Sequence, residues 1–208
     1  GEEYQNAVKR SLAFVTADFD WPPNCNLVEM LVQAGAHTNA TDPDTGETLL
    51  QKSIVASSMD VIRFLLEHGA EVNIPATEER GTPLQDAILF EEVEIAQLLL
   101  EHGANINAPP SRKGGATALQ AAALHGYYRL VLRLLEYGAD VAAAPSAVSG
   151  RTAIDAAAEH GRLEILQLLL NAYGDRLDLA LVCSHAASLA EREGHTGIAN
   201  WLRTYTAS

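Results

Sequence analysis

With 208 residues, 48% of them hydrophobic and 20% charged, the chain carries enough apolar side chain to bury an elongated core. A formal charge of −13 repels nucleic-acid phosphates and anionic membrane surfaces, so nucleic acid and membranes are not expected partners. No apolar run approaches the roughly 18 residues needed to span a bilayer, and the opening Gly1-Glu2-Glu3-Tyr4 is acidic where a secretion signal would be basic and then apolar.

In chain order, residues 4–16 read as an irregular N-terminal cap, and Asp18 to Pro23 stand where a first helix would be expected. Leu27 to Ala34 then form an apolar-periodic helix that ends at Gly35-Ala36. The Gly-Ala pair returns at Gly69-Ala70, Gly103-Ala104 and Gly138-Ala139, and a threonine stands 21 residues ahead of each of these three glycines, at Thr48, Thr82 and Thr117. A fixed period of this length marks a repeat array in which each unit buries its apolar face against its neighbours.

Each unit has local reasons for its composition. Threonine is a good N-cap for a first helix, and Pro83 suits the first helical position because its missing N–H has no partner there. The first helices are rich in small residues, Ala121 to Ala123 and Ala156 to Ala158, which permits close stacking. Gly126 and Gly161 supply left-handed turns after them. Ser57 and Glu91 hold the same turn position, where a Cβ costs roughly 1 kcal/mol or more, so those two units are expected to be less regular. The second helices, such as Leu163 to Leu170, carry a wide apolar face and form the bulk of the core.

Thr82-Pro83-Leu84-Gln85-Asp86-Ala87, followed by Val93 to Leu100 and then Gly103-Ala104-Asn105-Ile106-Asn107, resembles the ankyrin repeat, and copies beginning at Thr48, Thr117 and Thr152 match it. The resemblance implies an all-α ankyrin-repeat solenoid of five to six helix-turn-helix units, with loop or β-turn fingers and atypical caps. The expected organisation is a single domain over 1–208: a degenerate repeat at 4–40, repeats at 41–74, 75–108, 109–143 and 144–174, and a capping repeat at 175–208. The last is read as a helix pair from Ser184, with Asp175 to Val182 as an additional segment, and Trp201 as cap packing. The stretch from Asn107 to Ala123, with Pro109-Pro110 and Gly114-Gly115, looks like the ankyrin arrays of large filamentous-fungal proteins, which often adjoin a separate enzymatic, nucleotide-binding or DNA-binding domain. The family's usual histidine after Thr-Pro-Leu is Gln51, Gln85, Gln120 or Asp155 here, so its bond to the threonine must be replaced or lost.

Catalysis is not expected. Cys25 and Cys183 are too few for a zinc site and read as buried structural thiols. His68 and His102, like His125 and His160, recur at fixed repeat positions near helix ends, where imidazole meets unpaired carbonyls. Gly114-Gly115 lacks the lysine of a phosphate loop, and no cofactor is called for.

The family's concave surface places the residue before each threonine, and those seven and eight after it, toward a partner. Here that surface includes Val55, Leu89, Phe90, Leu124 and His125, extended by Tyr127, an apolar strip of the kind that marks interaction sites. Thirteen acidic residues from Asp42 to Glu101 face only Lys52, Arg63 and Arg80, a balance of −10, while residues 102 to 208 balance near zero. Asp42, Asp44, Glu47 and Glu78 are thus expected to guide a basic segment, and Arg151 to meet acidic groups. The expected function is a non-catalytic interaction module for a protein or peptide, intracellular in the cytoplasm or nucleus and part of a larger protein. The alternative is an array that regulates or feeds an attached enzymatic or nucleotide-switching domain.

Overall fold

A computed structural model describes residues 24–42, 45–77, 80–111 and 115–205. They form helices α1 Cys25–Gln33, α2 Leu49–Val55, α3 Met59–Glu67, α4 Pro83–Leu89, α5 Val93–Glu101, α6 Ala118–His125, α7 Tyr128–Glu136, α8 Ala153–Glu159, α9 Leu163–Tyr173, α10 Leu179–Arg192 and α11 Thr196–Tyr205. Among the described residues no strand forms, and an isolated antiparallel bridge pairs Thr41 with Thr48. The chain divides into two compact units: residues up to Ile74 with Glu92–Ala104, and Pro75–Glu91 with Asn105 onward.

Four helices begin alike. Thr48, Thr82, Thr117 and Thr152 are extended, and each hydroxyl accepts the N–H three residues on, at 3.3 Å for Gln51, Gln85 and Gln120 and 3.1 Å for Asp155. In the first three the glutamine Oε1 accepts the threonine's own N–H in return, closing a capping box. The threonine to histidine bond suggested by the resemblance is therefore replaced. Glutamine does more, because its Nε2 reaches the next finger: Gln85 donates to the carbonyls of Ala108 (2.8 Å) and Pro109 (3.0 Å), and Gln120 to those of Ala143 (3.0 Å) and Ala144 (3.2 Å). Asp155 has no donor to offer and instead accepts from His185 Nδ1 on α10 at 2.8 Å.

The helix ends are equally uniform. Gly35, Gly69, Gly103 and Gly138 all have positive φ, and the alanine that follows each sends its N–H back to the carbonyl five residues earlier, for example Ala139 to Leu134 at 2.8 Å. This Schellman geometry needs the left-handed conformation that glycine adopts without strain, and it explains the Gly-Ala signature.

In the first unit α3 packs against α1, α2 and α5, burying Val28, Ile62, Leu65 and Leu99. In the second unit the first helices of successive pairs lie side by side, α4 on α6, α6 on α8 and α8 on α10. Their facing residues, Ala87, Ala121 to Ala123 and Ala156 to Ala158, are buried, and side chains this small are what permit that approach. Leu130, Leu134, Leu166 and Leu169 of the second helices are also buried, each contributing about 1.5–3 kcal/mol.

Two expectations change. The helix preceding the last turn begins at Leu179 rather than Ser184, because Leu179 to Val182 continue its pattern without a breaker, and it leaves Leu177 and Leu181 exposed. Cys183 is buried as expected, but Cys25 is only half-buried; its Sγ lies 3.6 Å from Glu29 Oε1, and burial followed by the Glu29 charge raises the thiol. Trp201 is half-buried, its ring 5.2 Å from that of Tyr205. The N-terminal cap expected at 4–16 lies outside the described residues.

Candidate partner-binding surface

The turn joining the helices of each pair repeats one geometry. Its central residue is left-handed at Ser57 (φ 54°), Glu91 (φ 67°), Gly126 (φ 85°), Gly161 (φ 70°) and Gly194 (φ 85°), so the Ser57 and Glu91 turns, expected to be less regular, carry the same backbone as the glycine ones. At Gly126 and Gly161 the residue after the next pair's turn covers the glycine. A Cβ on Gly126 would stand 2.8 Å from the Arg162 guanidinium carbon, and one on Gly161 would stand 2.7 Å from the His195 ring.

Around these turns lie most of the residues expected to face a partner. In the second unit Phe90, at the end of α4, is 47% exposed, with Leu89, Leu124, His125 and Tyr127 half-buried near it in the repeat register. His125 and Tyr127 stack with ring centroids 5.6 Å apart, and the Glu91 carboxylate approaches His125 Nδ1 to 3.8 Å, which brings the α4 and α6 ends together. Burial, then the Glu91 charge, raises the Tyr127 phenol. In the first unit Val55 is also exposed.

The charged residues are placed differently from expectation. Asp42 is buried, 3% exposed, where it pairs with Lys52 and accepts the Thr45 N–H at 3.1 Å, so it is not the open finger carboxylate expected. Glu47 is half-buried, and its backbone carbonyl accepts the Asp42 N–H at 2.7 Å. Asp44 and Glu78 lie outside the described residues. Arg151 is engaged by Glu159, with Nε to Oε2 at 2.9 Å, and Arg192 binds the same carboxylate at 3.2 Å, while the Arg151 side chain stays 37% exposed. Burial alone would raise the Glu159 carboxyl, but the Arg151 hydrogen bond and the charges of Arg151, His160 and Arg192 outweigh it and hold the group below the usual carboxylate range.

Sequence reasoning passed over a ladder of asparagines recurring every 34 residues. Asn39, Asn73 and Asn107 donate from Nδ2 to the carbonyls of Gly69 (3.4 Å), Gly103 (3.1 Å) and Gly138 (3.0 Å), and Asn39 and Asn107 accept in return the N–H of Glu71 (2.7 Å) and Asp140 (2.8 Å). The periodicity was the available signal. Glu91, whose carboxylate is 73% open to solvent, was likewise absent from the residues expected to face a partner.

Among the described residues no group of three or more His, Cys, Asp or Glu is placed to hold a metal, and no helix is long and apolar enough to cross a membrane. Open recesses of about 400 Å³ lie beside Gly126, Gly161 and Arg162 and beside Cys25, Ser57 and Asp60. Both recesses lie at the turns.

Comparison with protein families matches residues 21–110 to a model of ankyrin repeats in three copies and residues 119–170 to a model of ankyrin repeats in many copies. No curated protein matches the chain.

Proposed function

Because the chain belongs to the ankyrin repeat family, whose repeats are in general protein-interaction modules and typically non-catalytic, we propose that it binds a protein or peptide through the turn-side surface of its second unit. Phe90 carries this reading: a large aromatic ring 47% exposed at a helix end, beside half-buried Leu89, Leu124 and Tyr127, is costly to leave in water and suited to anchoring a partner side chain. The chain's net charge of −13 favours a segment bearing basic residues over nucleic acid. Two free thiols, Cys25 and Cys183, suit a reducing compartment inside the cell.

The test is the double substitution Phe90→Ser and Leu124→Ser, with unfolding curves recorded to establish that both proteins are folded. Loss of a central aromatic anchor typically costs about 2 kcal/mol, roughly thirtyfold in affinity. Proteins enriched from lysate by the parent chain should be lost from the variant. Equal enrichment by both would refute the assignment of the surface.

A further inference from the structure

We propose that Glu91 is a recognition residue, its carboxylate seating the ammonium or guanidinium of a partner segment while the neighbouring Phe90 ring takes an adjoining aliphatic side chain. The inference rests on the interaction reading above and names the chemistry of its partner.

Glu91 holds a backbone conformation that suits glycine, at φ 67°, and glycine is what the equivalent turns at 126, 161 and 194 use. Ser57, the other exception, puts its side chain to local use by bonding the Glu92 carboxylate. The Glu91 side chain points outward, 73% exposed, and its contact with His125 Nδ1 at 3.8 Å is longer than a hydrogen bond. Where Arg162 and His195 close over Gly126 and Gly161, the corresponding residue here is Tyr127, stacked on His125. The Tyr127 hydroxyl is enclosed without a hydrogen-bond partner among the described residues. A residue in a left-handed backbone whose side chain makes no hydrogen bond shorter than this 3.8 Å contact among the described residues, next in sequence to an exposed aromatic ring, is the kind of outlier from which a functional role is inferred. A cation beside an aliphatic residue is the complement of that pair: charge-assisted contact for the carboxylate and apolar or cation–π contact for the ring.

The experiment uses the full chain and three pools of nine-residue peptides, randomised except for a central Lys-Leu, Glu-Leu or norleucine-Leu pair, with binding read by fluorescence polarisation at low salt. The lysine pool should bind the parent best, and Glu91→Gln should weaken that binding about tenfold or more, the size of a lost hydrogen bond to a charged group. Glu91→Gly should weaken it as much while raising Tm by roughly 1–4 °C through relief of backbone strain, a combination that a purely structural role would not give. If Phe90→Ser abolishes binding but Glu91→Gln leaves it unchanged, the surface stands and the role of Glu91 falls. If neither substitution matters, or no pool binds the parent, both readings are overturned.

Discussion

Replacing Gln120 by alanine tests whether the capping glutamine also joins neighbouring repeats. The side chain is 3% exposed and makes three hydrogen bonds, accepting from Thr117 N–H at 3.0 Å and donating to the carbonyls of Ala143 and Ala144 at 3.0 and 3.2 Å. Each such bond contributes about 0.5–1.5 kcal/mol net, so Gln120→Ala should cost about 2–4 kcal/mol. In a chain of this size that corresponds to a fall in Tm of roughly 5–15 °C, measured by calorimetry alongside the urea midpoint. Gln120→Glu separates the two functions. It keeps an acceptor for Thr117 but turns the donor into an anion facing two carbonyl oxygens, and should destabilise at neutral pH at least as much as alanine. Should both variants lose less than about 0.5 kcal/mol, the finger contact contributes nothing and the reasoning fails.

Ser57→Gly relieves a left-handed residue at an exposed turn and gives up only its surface bond to Glu92, so stability should rise by about 0.5–1 kcal/mol after glycine's greater entropic cost; a fall would show that the side chain matters more than the strain. Glu159 has a folded-state pKa below its unfolded value, so its contribution is complete above about pH 4.3 and is lost as pH falls through the lower folded value. The parent chain should accordingly be more stable than Glu159→Gln at pH 7, with the gap closing on acidification. A gap unchanged between pH 7 and pH 3 would rule out the Arg151 and Arg192 contacts as its source.

What could be read from sequence and what could not divide along the distance between interacting groups. Thr82 caps Gln85 and Gly103 stops α5 through contacts within one or two turns, so residue type and spacing gave both away, as they did the left-handed Ser57 and Glu91. Gln85 meets Ala108 and Asn107 meets Gly138 across 23 and 31 residues, and no local pattern specifies which carbonyl lies there. The same limit applied to the surface. Asp42 looked like an exposed finger carboxylate, but it is buried against Lys52; Arg151 looked unpaired, but α8 brings Glu159 to it and α10 brings Arg192 to the same carboxylate. Phe90 and Leu124 were placed on the correct helix ends by register, while the degree to which each opens to water depended on packing between neighbours.

The glutamine and asparagine bridges end on main-chain oxygens, which every amino acid possesses. A unit inserted or deleted between Thr82 and Ala144 would meet the same acceptors whatever its side chains, so lengthening by gene duplication needs no compensating substitutions at those joints. The Asp155–His185 contact demands two particular side chains, so the array is free to grow internally but keyed at its C-terminal junction.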